Sequence, residues 1–106
     1  MGSEAQFQKS ADTVANLDKD GPIRPTSDDQ LYLYKYFKQA KVGNNDTPKP
    51  GMMNFTAKYK WEAWTSVKDV SREESHEKYV SKLVEILEKV GDEKARGYIQ
   101  EISALA

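Results

Sequence analysis

Between Tyr34 and Trp64 the chain sets aromatic rings and ammonium groups at spacings that a helix turns into shared faces. Tyr34 and Lys38 stand four residues apart, so one helical face carries both. Lys60 directly precedes Trp61, with Trp64 three residues further on. Rings offer stacking area, and fixed cations give charge-assisted hydrogen bonds to oxyanions. That combination suits a ligand that is part nucleobase and part phosphate.

The remaining chemistry-bearing residues point away from catalysis. The chain has no cysteine, which excludes disulfides, thiolate metal sites and cysteine nucleophiles. Its single histidine, His76, lies among Ser75, Glu77 and Lys78 and reads as a solvated residue of a polar face. One histidine without cysteine makes no metal site. The acidic pairs Asp28-Asp29 and Glu73-Glu74 fall in first helical turns, where they complement the helix dipole rather than act as acid and base. No nucleophile–base pair or glycine-rich phosphate loop is present, and the stretch from Gly43 to Gly51 is too rich in proline for a P-loop. The expectation is binding without a reaction, and no cofactor.

The elements that must position these residues follow from periodicity and capping. Phe7, Ala11, Val14 and Leu17 form one apolar stripe, predicting a helix from Ala5 to Leu17 that faces Val80, Leu83 and Leu87. Gly21, Pro22 and Pro25 break it. Ser27-Asp28-Asp29-Gln30 has the form of a capping box, opening a second helix through Leu31, Tyr34, Phe37 and Ala40 that stops before Gly43. The stretch from Gly43 to Asn54 reads as a loop whose Met52 and Met53 fold back on the body. Asn54 or Thr56 caps a third helix carrying Trp61, Trp64 and Val67, with both tryptophans expected in the core and Lys58 as a rim charge. Ser71-Arg72-Glu73-Glu74 opens a fourth helix with Tyr79, Val80, Leu83, Ile86 and Leu87. Gly91 ends it, and Asp92 starts a short fifth helix with Tyr98, Ile99, Ile102 and Leu105. No segment alternates with a period of two, so the fold class is all-α, a four-helix bundle with a short extra C-terminal helix.

At 106 residues the chain makes one domain, with 38% hydrophobic and 31% charged residues. Sixteen basic and seventeen acidic residues leave a formal net charge of −1, so no global basic field recruits nucleic acid. No apolar run approaches the ~20 residues that span a bilayer. The N-terminus lacks the pattern of a secretory signal, and Gln6 after Met1-Gly2-Ser3 stands where a myristoylation motif has Ser or Thr. A cytoplasmic protein is expected.

One compound pattern goes further. Leu31-x-x-Tyr34, Lys38-Gln39-Ala40-x-Val42-Gly43, Pro50-Gly51-Met52, Phe55, Lys58 and Lys60-Trp61-x-Ala63-Trp64 follow one another in register. Phe7 with Ala11, and Tyr79 with Val80, extend the pattern to both sides. Together these residues resemble the acyl-CoA-binding protein family. The resemblance implies a four-helix bundle over residues 4–90, with 91–106 as a helical extension. It also implies a ligand, the thioester of a fatty acid and coenzyme A. Tyr34, Phe37 and Lys38, then Lys60 and Tyr79, would line the coenzyme A site, with Lys35 and Tyr36 as flanking contacts. By the same likeness the lysines address the phosphates, chiefly the 3′-phosphate, the rings enclose adenine, and the acyl chain lies in a groove. Three positions depart from the family pattern: Phe37 replaces tyrosine, Ala15 a basic residue and Gln30 an apolar one. The linker after Leu17 is also longer than is common.

Physical magnitudes agree with such a ligand. A base stacked on a ring contributes about 1–3 kcal/mol. Each buried methylene adds about 0.8 kcal/mol, so a palmitoyl tail contributes on the order of 12 kcal/mol before entropic losses consume much of it. The resulting expectation is a monomeric carrier of medium- to long-chain acyl-CoA that forms and transports an intracellular pool. Its partners would be the ligand and, transiently, acyl-CoA-using enzymes and membranes. The alternative is an interaction module whose apolar C-terminal helix docks on a partner, with weak or no ligand binding.

Overall fold

Five helices, each opened by a side chain that accepts a backbone N–H, make up the computed structural model, which describes residues 2–105. Met1, which begins the Met1-Gly2-Ser3 segment, and Ala106, the end of the 91–106 extension, lie outside the described residues. The helices are α1 (Glu4–Ala15), α2 (Ser27–Lys41), α3 (Phe55–Thr65), α4 (Arg72–Val90) and α5 (Glu93–Ser103). Among the described residues there is no strand.

The caps explain where the helices begin. Ser3 and Gln6 form a reciprocal capping box ahead of α1. On α2 the box is one residue earlier than the sequence suggests: Thr26, not Ser27, is the cap. Thr26 Oγ1 accepts the Asp29 N–H at 3.0 Å, and Asp29 Oδ2 accepts the Thr26 N–H at 3.1 Å. Gln30 is thereby released to donate its amide to the Pro25 carbonyl at 3.1 Å. Asn54, Ser71 and Asp92 cap α3, α4 and α5. Gly91 ends α4 in the left-handed region at φ 67°, where a Cβ is disfavoured. The first helix is shorter than its apolar stripe, because Asn16 folds back and donates its side-chain amide to the Asp12 carbonyl at 2.9 Å.

The bundle is built around α4. It packs on α1 and α2, α3 packs chiefly on α2, and α5 closes the far side against α1 and α4. Phe7, Leu33, Val80, Leu83 and Leu87 form the centre, plugged at one end by Ile23 from the linker. The stripe Ala11, Val14 and Leu17 packs at its edge, as the periodicity implies. Ala95 and Ile102 of α5 are fully buried, and Tyr98 and Ile99 lean on the same core.

Two further expectations, on burial, are overturned here. His76 is not solvated: it is 7% exposed and stacks on Phe7 at 4.5 Å between ring centres. Its polar neighbours conceal its register, since His76, Tyr79, Val80 and Leu83 follow the i, i+3, i+4, i+7 rule of a buried helix face. Met52 and Met53 do not fold back; they are 82% and 88% exposed. The Asn54 N–H bonds the Gly51 carbonyl at 3.1 Å, closing a turn whose two outward corners are those methionines.

Candidate functional site

A groove crosses the bundle where α1, α2, α3 and the Asp18–Pro25 linker meet. Its middle section, about 280 Å³, is almost wholly apolar; Ala11, Val14, Leu33, Tyr34, Phe37 and Tyr79 line it. A second section of about 230 Å³ lies between α2 and α3, walled by Leu31, Tyr34, Thr56, Tyr59 and Lys60. A third, about 380 Å³, runs along the linker beside Leu17, Lys19, Ile23 and Arg24. Gln30 borders all three, and Tyr34 stands between the first two.

The charges are placed by helix spacing. Tyr34 and Lys38 on α2 face Lys60 and Trp64 on α3, each pair separated by four residues. The two pairs cross-match. Lys60 Nζ lies 5.3 Å from the Tyr34 ring centre, and Lys38 Nζ lies 4.8 Å from that of Trp64. Two cation–π contacts therefore join α2 to α3, one helical turn apart. Among the described residues neither ammonium makes an ion pair with a carboxylate. Both charges are thus held in place and still available to an anion.

Trp64 is buried, as expected, and donates its indole N–H to the Gly43 carbonyl at 2.8 Å. Trp61, against expectation, is outside the core: it is half-buried, with its indole N–H donated to the Thr47 carbonyl of the loop at 2.9 Å. Both tryptophans anchor the loop before α3.

The rings of the groove brace one another. Phe7 meets Tyr79 edge-on at 5.2 Å and stacks against Phe37 at 6.1 Å. Tyr79 is 4% exposed, and burial pushes its hydroxyl up to about 12, so it stays protonated and can donate.

Lys35 and Tyr36 stand elsewhere on α2, because one and two residues beyond Tyr34 turn the helix by about 100° and 200°. Lys35 Nζ sits 4.8 Å from the Tyr32 ring centre and 5.3 Å from that of Tyr36. Tyr32 and Tyr36 meet edge-on at 5.0 Å. Burial, then the nearby Tyr32 and Glu74, raise the Tyr36 hydroxyl above its ordinary value. Tyr34, Phe37, Lys60 and Tyr79 therefore line the groove, Lys38 lies one turn further along α2 over Trp64 and lines none of its sections, and Lys35 and Tyr36 stand in a separate ring–cation cluster.

Several groove residues escape a reading of the sequence alone, among them Pro25, Thr56 and Tyr59. Thr56 carries a usable signal, since it precedes Lys60 by one helical turn. Pro25 carries none, because it reaches the groove only through the path of the linker.

Comparison with known proteins now bears on this geometry. The family model described as Acyl CoA binding protein matches residues 4–83. An acyl-CoA-binding protein of Gossypium hirsutum is 41% identical over 91 residues, which are 86% of this chain and 98% of that protein. The chain belongs to the acyl-CoA-binding protein family. The crystal structure of ACBP from Moniliophthora perniciosa matches with a TM-score of 0.94 at 54% identity, covering 96% of each chain. Acyl-CoA-binding domain-containing protein 4 of Homo sapiens is 36% identical over 98 residues, 92% of this chain but 37% of that longer protein. The all-α bundle expected from the residues is the architecture of this family, and α5 extends it.

Membership in the acyl-CoA-binding protein family fits the donor set. An acyl-CoA carries phosphates, an adenine and an aliphatic tail. The site offers two ammonium groups without carboxylate partners among the described residues, several rings and an apolar channel. Among the described residues no cluster of histidine and carboxylate could hold a metal.

Proposed function

We propose that this chain binds medium- to long-chain fatty acyl-CoA thioesters tightly, and that it forms and transports a cytoplasmic acyl-CoA pool as a monomer without catalysing a reaction. The observation that carries the reading is the position of Tyr34. Its ring separates the apolar channel of Phe37 and Tyr79 from the channel walled by Lys60, whose ammonium sits over it. In this proposal Lys38 and Lys60 hold phosphates, Tyr34 and Tyr79 enclose the base at the apolar section, and the acyl chain runs along the remaining length of the groove. Lys35, off the groove side of α2, adds only to the local positive field in this proposal, and Tyr36 braces the ring cluster that holds it. The binding unit is residues 4–90, with 91–106 as its extension, whose α5 packs behind it on α1 and α4. Phosphates in water are strongly solvated, so the lysines orient the head group while the tail supplies most of the affinity.

Titration calorimetry with palmitoyl-CoA, free coenzyme A and free palmitate tests the proposal. Palmitoyl-CoA should bind far more tightly than either fragment, because head group and tail share one association cost. Equal affinity for palmitate and palmitoyl-CoA, or binding of neither, would overturn it. Lys60→Ala should weaken palmitoyl-CoA roughly tenfold or more, by removing a charge-assisted contact, and move the unfolding midpoint little.

The rival reading, docking through the C-terminal helix, is disfavoured by a specific contact pattern. Most of the apolar face of α5 is already covered, with Ile102 fully buried and Tyr98 and Ile99 against the core; Leu105, expected on the same face, lies past the end of α5 and is 40% exposed.

A further inference from the structure

We propose that the Gly51–Asn54 turn and the outer face of α3 form a docking surface for an anionic phospholipid bilayer, at the mouth of the groove. The inference rests on the acyl-CoA reading only for its purpose; the surface itself is argued from exposure and charge.

Turn corners ordinarily carry Gly, Asn, Asp, Pro or Ser, each for a backbone reason. Here both corners are methionine, 82% and 88% exposed, and no backbone requirement asks for them. Phe55 and Tyr59, one helical turn apart on α3, continue the apolar surface at 58% and 56% exposure. Four large apolar side chains in one eight-residue span, all more than half exposed, mark an interaction surface. Tyr59 also lines the section of the groove that holds Lys60, so the patch is continuous with the site.

Charge identifies the occupant. From Thr47 to Trp61 the chain holds Lys49, Lys58 and Lys60 and no carboxylate side chain, although the whole protein has a formal net charge of −1. Asp46 and Glu62 bracket this segment. An apolar tip flanked along the chain by Lys49 and Lys58 matches a membrane interface, where side chains enter the acyl boundary and ammonium groups meet anionic head groups. A second copy of this chain would bring the same lysines face to face. With the groove mouth against the bilayer, an acyl tail passes between protein and lipid without crossing water.

The test is co-sedimentation of the full chain with vesicles of phosphatidylcholine alone and of phosphatidylcholine mixed with phosphatidylserine. Binding to the anionic vesicles is expected, weakening as salt rises. The double variant Met52→Ser/Met53→Ser should lower partitioning roughly tenfold by removing buried thioether surface. Lys49→Glu should lower it on the order of tenfold by reversing one charge at the surface. Palmitoyl-CoA titrations of these variants without vesicles should match the parent protein, which also shows that they fold. Failure to sediment, equal binding to neutral vesicles, or no effect of the methionine variant would overturn the proposal. So would a concentration-dependent dimer that the methionine variant abolishes, since the surface would then serve self-association. Loss of palmitoyl-CoA binding by the parent protein in solution would instead refute the acyl-CoA reading and leave the vesicle result standing.

Discussion

His76 is the residue whose environment differs most from its sequence context. Burial lowers its proton affinity below the ordinary value of 6.5; Glu4 and Glu73 work against this, and Arg72 and Lys41 with it. The unfolded chain therefore takes a proton at a higher pH than the folded one. The stabilising effect of neutral His76 is complete above about pH 6.5 and declines as pH falls from there toward the lowered folded value. Thermal unfolding should show a lower midpoint at about pH 5.5 than at 7.5, and His76→Phe, which keeps a ring against Phe7, should flatten that difference. Tyr34, Lys38 and Lys60 are recognisable in the sequence as rings and cations from their identity and spacing. Which cation meets which ring was not recoverable. The Lys60–Tyr34 and Lys38–Trp64 contacts join two helices, and no local pattern encodes the offset between them.

Helix boundaries are set mostly by local hydrogen bonding, and for that reason they were the most legible elements. Ser71, Gly91 and Asp92 act at the ends of α4 and α5 as their types imply. The start of α2 was displaced by one residue because Thr26 and Ser27 are both competent caps. Asp29 settles the choice by closing the reciprocal box on Thr26, and its bond to Lys82 at 3.2 Å holds it toward α4. Burial alone would raise the Asp29 carboxyl, yet the Thr26 and Lys82 hydrogen bonds hold it below its ordinary value. At Gly91 the left-handed backbone makes a firm prediction. Gly91→Ala should destabilise the protein by about 1 kcal/mol, since a Cβ is disfavoured there. Urea unfolding would report this as a lower midpoint with an unchanged slope.

At the scale of the whole molecule, the core and the groove are separable. Ile102 is fully buried between α5 and the rest of the bundle and does not line the groove. Ile102→Ala should cost about 2–5 kcal/mol of stability through transfer and cavity terms. Palmitoyl-CoA affinity of the folded variant should remain that of the parent protein, as calorimetry would show. A variant that lost both together would mean that α5 shapes the groove. Ligand binding should in turn raise stability by mass action, by about 4 kcal/mol at free ligand one thousand times Kd.

The amino-acid sequence by itself determined the helical class, the number of helices and the caps of α4 and α5, and it carried the family pattern. Periodicity and capping act within a few residues, so they are written locally. Only the tertiary structure decided that His76 is buried, that Met52 and Met53 point outward, and that Lys35 and Tyr36 lie off the groove side of α2. Each of these outcomes depends on how distant segments meet. A side chain's surroundings are set by the partner helix that packs on it or fails to, and by where the linker runs.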